Sequence, residues 1–172
     1  MTTTPTPNHS PQEDSLLEQT KRASEPISKF LQGDTMVFWR NAEGLSLDHP
    51  HKPIQTSYSP WMFSGGDIFP FRESNGQCRL TLKYRDGSTV EVRQIKHVES
   101  RAIYGTMIDD STTDQSYFLT YEIGNNKVEI KIVDDIFPGI KHNGIPIHDE
   151  GLTAENVEIL EQLAQKVEPL IT

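Results

Sequence analysis

The run Cys78-Arg79-Leu80-Thr81-Leu82-Lys83-Tyr84-Arg85-Asp86-Gly87-Ser88-Thr89-Val90-Glu91-Val92-Arg93 carries the pattern on which the fold turns. Leu80, Leu82 and Tyr84 alternate with Arg79, Thr81, Lys83 and Arg85, and beyond the glycine Val90 and Val92 alternate with Thr89, Glu91 and Arg93. A period of two places the apolar set on one face of a strand and the charged set on the other. The two runs read as a β-hairpin, and register selects its turn. A two-residue Asp86-Gly87 loop would set Leu82 opposite Glu91, whereas a three-residue Arg85-Asp86-Gly87 loop pairs Tyr84 with Ser88, Leu82 with Val90 and Leu80 with Val92. The longer loop keeps one face apolar and puts Gly87 where a left-handed backbone is wanted.

Downstream the same alternation returns. Tyr117, Leu119, Tyr121 and Ile123 face Val128, Ile130 and Ile132 across Gly124 to Lys127. A two-residue Asn125-Asn126 turn is expected to set Ile123 opposite Val128, Tyr121 opposite Ile130 and Leu119 opposite Ile132. Arg101 to Ile108 is a further strand candidate, with Ile103 and Met107 on one face and Ala102, Tyr104 and Ile108 on the other. From Thr153 the period changes: Val157, Leu160, Leu163, Val167 and Leu170 recur at helical spacing, with Glu155, Glu158, Glu161 and Gln162 elsewhere on the wheel. Alternating strands suit antiparallel sheets, since parallel strands are covered on both faces and read as continuous apolar runs. The fold class is therefore α+β: a mostly antiparallel β-sheet or partly open barrel, packed by a C-terminal amphipathic helix.

Upstream the pattern is less regular. Met1 to His9 holds little to bury and reads as a disordered tail, followed by a single globular domain over residues 10–172. Ser10, Pro11 and Glu13 match a capping box, and Leu16, Leu17, Thr20 and Ala23 give the helix a thin stripe. A second helical piece starts at Ser24, with Pro26 in its first turn and Ile27, Phe30 and Leu31 on one side, and stops at Gly33. Thr35 to Trp39, rich in β-branched and aromatic residues, reads as a first strand. Glu43 to Pro70 is punctuated by Pro50, Pro53, Pro60 and Pro70 and reads as an ordered, packed loop with room for one short strand.

Composition bounds the function. Sixteen Lys and Arg against 25 Asp and Glu give a net charge of -9, which repels phosphate backbones, and the basic residues of the Arg79–Arg93 hairpin are interleaved with Asp86 and Glu91. Nucleic-acid binding is not expected. No apolar run approaches the length of a membrane span and no charged-then-apolar leader is visible, so the expectation is a soluble, cytoplasmic protein. The one cysteine, Cys78, reads as an interior thiol on a strand.

Candidate chemistry is sparse. Asp48-His49-Pro50-His51 could contribute two imidazoles to a metal, with His97, His142 or His148 as further ligands, but no second pair has ligand spacing. Asp109, Asp110 and Asp114 lie among Ser111, Thr112 and Thr113 without the glycine and terminal glutamate of a calcium loop. Asp134 and Asp135, with Asp149 or Glu150, could pair as carboxylates. No Gly-x-Ser-x-Gly elbow or phosphate-binding glycine loop is present, and no cofactor or metal is expected. Asp67-Ile68-Phe69-Pro70 with Asn75-Gly76 recurs at identical spacing as Asp135-Ile136-Phe137-Pro138 with Asn143-Gly144, a duplicated structural element or a coincidence.

The remaining signal is aromatic. Trp39, Tyr58, Trp61, Met62, Phe63, Phe69 and Phe71 crowd the first half of the chain, and such side chains supply large contact area at low ordering cost. They are the candidate binding residues. In an extended segment Trp61 and Phe63 share one side and Met62 takes the other, one side being expected to pack near Trp39. The leading expectation is a non-enzymatic accessory protein that recognises a protein partner or a second copy of itself. One alternative is a small apolar ligand carrier with the sheet curled around a cavity. The other, less favoured, is a small hydrolase or lyase using His97, His142, Asp109, Asp134 or Asp135.

Overall fold

In the computed structural model two helices, α1 (Pro11–Gln32) and α2 (Thr35–Gly44), precede the strands β1 (Gln55–Ile68), β2 (Phe71–Lys83), β3 (Thr89–Ile103), β4 (Thr106–Ile123), β5 (Asn126–Val133), β6 (Ile136–His142) and β7 (Ile145–Ile147). Helix α3 (Ala154–Val167) follows, with a 3-10 turn at Glu168–Leu170. The structure describes residues 11–68, 71–103, 106–134, 136–148 and 152–171, and the side chains among them except those of 11–14, 66–68, 71–72, 101–103, 106–113 and 138.

The fold is α+β. Each strand pairs antiparallel with the next, in an open seven-stranded sheet of order β1-β2-β3-β4-β5-β6-β7. One cross-strand row, Tyr58–Leu80–Val92–Leu119–Ile130–Ile140–Ile147, crosses all seven strands on the helix-facing side. Against that face α1 presents Ala23, Ile27, Phe30 and Leu31, α2 presents Phe38 and Ala42, and α3 presents Leu160, Leu163 and Val167, all in one buried cluster.

The hairpin register is as the alternation requires: Leu82 faces Val90, Leu80 faces Val92, Tyr84 N–H donates to the Ser88 carbonyl, and Gly87 has φ +87°. The start of α3 is likewise as expected, with Thr153 Oγ1 accepting from Asn156 N–H at 3.1 Å.

Several expectations are corrected. Thr35–Trp39 is not a strand but the start of α2. The Asp34 carboxylate accepts from Met36 N–H at 2.9 Å, and Thr35, Phe38 and Ala42 bury one helical face, a period that a five-residue window conceals. The Lys52 ammonium donates to the carbonyls of Ala42, Glu43 and Leu45 at 3.0, 2.8 and 3.0 Å, satisfying the orphan acceptors at the helix end. The two N-terminal helical pieces are one helix running through Pro26, because Ala23, Ile27, Phe30 and Leu31 are buried on both sides of the proline. Packing outweighs the hydrogen bond that proline removes.

Glu43–Pro70 is not mainly loop. Gln55–Ile68 forms a 14-residue strand at the sheet edge. Pro60 is tolerated because it lies at the register shift between Ser59 and Met62, and edge strands and bulges are where a residue without an N–H fits. The β4–β5 turn is Gly124-Asn125 rather than Asn125-Asn126, pairing Ile123 with Asn126, Tyr121 with Val128 and Leu119 with Ile130. Gly124 has φ +57°, the glycine-first pattern of a tight hairpin turn, and a slip of two residues leaves the same side chains facing the core.

Arg101–Ile108 spans the end of β3 and the start of β4, so Asp109, Asp110 and Asp114 lie along a strand and not in a loop. The repeated words also diverge: Asp67-Ile68 ends β1 while Ile136-Phe137-Pro138 begins β6. Asn75-Gly76 lies within β2, whereas Asn143 and Gly144 form a turn at φ +51° and +81°. They are not copies of one structural unit.

Candidate functional site

The helices cover only part of the length of the first four strands. Their limit is marked by Cys78 and Gln94, paired across β2 and β3. Gln94 Nε2 donates to the Gly33 carbonyl at 2.7 Å and to that of Leu31 at 3.3 Å, while the Cys78 thiol lies 3.4 Å from Thr35 Oγ1 and donates to Gln94 Oε1 at 3.3 Å. Burial pushes the Cys78 thiol up, outweighing the bonds to Thr35 and Gln94, which makes it a poor nucleophile.

Beyond that seam lies the aromatic group. Trp61 and Phe63 stack with centroids 6.1 Å apart, and Lys96 Nζ sits 4.4 Å from the centre of the Trp61 ring. Phe63 pairs with Gly76, and a Cβ there would collide with its ring, so the glycine is what lets the phenyl lie flat on β2. Phe63 is 55% exposed, and Met62, on the opposite side, 66%. Trp39 turns instead to Tyr58, stacking on it at 6.0 Å where α2 meets β1, and both flank the core. Phe69 and the side chain of Phe71 lie outside the described residues.

The rings of His49, His97 and His142 are engaged locally, and His148 is exposed just beyond β7. His49 Nδ1 accepts from the His51 N–H at 3.1 Å, and burial, then Lys166 and His49, push the His51 imidazole down. His97 Nδ1 lies 2.5 Å from Asn75 Oδ1. His142 bridges Asn156 Oδ1 at 2.6 Å and Asn126 Oδ1 at 2.9 Å, tying β6 to α3 and to the first residue of β5. Among the described residues no group of three or more His, Cys, Asp or Glu is placed to hold a metal. Asp134 is exposed at φ +50°, and Asp135, Asp149, Glu150 and the side chains of Asp109 and Asp110 lie outside the described residues.

Three features escape a reading of the sequence. In the first, Lys166, 7% exposed on α3, donates to Asp86 Oδ2 at 2.7 Å and sits over the Tyr84 ring. Ser88 N–H and Oγ donate to Asp86 Oδ1 at 2.9 and 2.5 Å. Burial raises the Asp86 carboxyl, but the bonds from Lys166 and Ser88 prevail and bring it to about 2. In the second, on the outer face of the sheet, Phe118 is flanked by Arg93 at 5.3 Å and Lys131 at 5.4 Å, its neighbours on β3 and β5. Strand parity places all three on that face, but only the strand order joins them.

The third is a pair of hollows between α1 and the β5–β7 end of the sheet, one of about 280 Å³ and one of about 420 Å³. Ile27, Ile130, Ile132, Phe137 and Ile140 line the first. Comparison with protein-family models, curated proteins and solved structures gave no significant match.

Proposed function

We propose that this chain is a non-enzymatic accessory protein that recognises a protein partner through the outer part of β1. The observation that carries the reading is the exposure of Phe63 and Met62 on opposite sides of a sheet-edge strand, with Trp61 stacked beside Phe63. Edge strands usually protect their unpaired backbone groups with charge, bulges or cover. From Gln55 to Gly66 this one carries no charged residue, and only the irregularity at Pro60 interrupts it. An uncharged edge flanked by aromatic and thioether side chains suits an extended segment added in β-fashion, with backbone bonds supplying affinity and alternate side chains specificity. In a chain of net charge -9, an edge without charge of its own adds nothing to the repulsion that an approaching acidic partner meets.

The test compares the purified chain with Trp61→Ala, Met62→Ala and Phe63→Ala in affinity capture from the source cells, alongside thermal unfolding. Loss of a recovered partner by about tenfold or more in the Phe63 or Trp61 variant, at preserved stability, is the expected result. Equal loss of stability in all three, with an unchanged set of partners, would assign these residues to packing instead.

A further inference from the structure

We propose that the cleft between α1 and the β5–β7 end of the sheet binds the alkyl chain of an amphipathic monocarboxylate, with its carboxylate at Lys21. The two hollows share Ser24, Phe137 and Ile140 on their walls, so they adjoin one another along the helix. Their volumes, about 280 and 420 Å³, are in the range of small-ligand sites.

The inner end is apolar by construction and not merely by composition. Its sheet wall is Ile130, Ile132, Phe137 and Ile140, and its helix wall adds Ile27. The hydroxyl protons of Thr20 and Ser24 and the amide of Gln32 are turned back onto the helix itself. Thr20 Oγ1 donates to the Leu16 carbonyl at 2.8 Å, Ser24 Oγ to the Thr20 carbonyl at 2.7 Å, and Gln32 Nε2 to Ser28 Oγ at 3.4 Å. An occupant there finds methyl and phenyl groups, so a polar ligand would lose its water without replacement bonds.

The outer end differs. It runs past Leu17 and Leu152 to Lys21, Glu25 and His148. Glu25 is paired with Lys29 at 3.4 Å outside the hollow, and Lys21 is the lysine on the hollow's wall that a ligand headgroup can meet. A chain with one terminal carboxylate matches an apolar inner end and a mouth that carries one lysine, whereas a neutral hydrocarbon would use only the first.

The test titrates the full chain with the fluorescent fatty acid cis-parinaric acid and displaces it with dodecanoate or 1-dodecanol. Saturable, one-to-one uptake displaced by dodecanoate is expected. Ile140→Trp, which fills the space where the hollows adjoin, should weaken uptake by about tenfold or more. Ser24→Phe fills the same space from the helix side and serves if Ile140→Trp does not fold. Lys21→Glu should weaken dodecanoate by about threefold to fivefold, the scale of an exposed ion pair, while leaving 1-dodecanol unchanged.

Absence of saturable uptake by the folded chain would overturn the proposal. So would unchanged affinity in a folded variant with the cleft filled, or a dimer that forms through this face and is insensitive to the fatty acid. Trp61→Ala and Phe63→Ala should leave uptake intact, which keeps this site separate from the proposed partner surface.

Discussion

Lys166 and Asp86 show how much one contact depends on its surroundings. The ammonium is nearly closed off between α3 and the β2–β3 turn, while the carboxylate keeps 42% of its side chain exposed. Solvent screening on that side keeps the pair's contribution to about 1 kcal/mol or less. The folded carboxyl lies at about 2, against an unfolded value near ~3.9. A folded value below the unfolded one means that the stabilisation is complete above the unfolded value and is lost as pH falls through the folded one. Chemical unfolding of the wild type and Asp86→Asn should therefore differ most above about pH 5 and converge toward about pH 2. A gap that stays constant across that range would remove Asp86 from the acid response.

Tyr121, next to this contact, is fully buried, and its hydroxyl makes no hydrogen bond among the described residues. Ser88 is close, but it gives its proton to Asp86 and stands outside hydrogen-bond geometry to the phenol. Burial, then the Asp86 charge, raises the phenol to about 12. Because an unsatisfied buried hydroxyl costs more than a missing one, Tyr121→Phe should raise stability by about 1 kcal/mol in denaturant titration. A loss instead would reveal a bond to an ordered water.

Among the elements, α3 was the most legible. Its apolar positions Val157, Leu160, Leu163 and Val167 are all buried, Glu158 is exposed, and Glu161 is half-buried beside α1. Leu160 is wholly buried between helix layer and sheet, so Leu160→Ala should cost about 2–5 kcal/mol, read as a lower denaturation midpoint with an unchanged slope. A cost within about 0.5 kcal/mol would place the helix outside the cooperative core. α2 was illegible for a nameable reason: its five leading residues have strand-like composition, and its helical identity rests on the Asp34 cap and the Lys52 ammonium. β1 was hidden by its prolines and glycines, which an edge position and a bulge accommodate.

Taken together, the strands outrun their cover. β4 has 18 residues, roughly 60 Å if fully extended, while α1 has 22 residues, about 33 Å of helix. Among the described residues of β1–β4 beyond Cys78 and Gln94, only the small Gly76 and Ser100 are buried, in place of the apolar layer that the other ends share. Local opening follows the density of buried contacts. Amide exchange should accordingly be slowest at Val90 and Val92 and become faster along β3 toward Lys96. Uniform protection along β3 would mean that the outer sheet is covered in solution.

Side-chain alternation in β2, β3, β4 and β5, the glycine at position 87, and the helical period of α3 settled which face of each element is buried. These are relations between residues a few positions apart, and steric and solvation preferences act on them directly. The candidate aromatic group was legible as residues but not as a surface. Whether Trp61 stacks on Phe63 or Trp39 depends on where α2 ends and β1 bulges. Only the tertiary structure brought Lys166 to Asp86 across 80 positions, set Arg93 and Lys131 around Phe118, and opened the cleft between α1 and the far strands. Such meetings follow from strand order and helix docking, whose free energy is summed over the whole buried interface and is carried by no local run of residues.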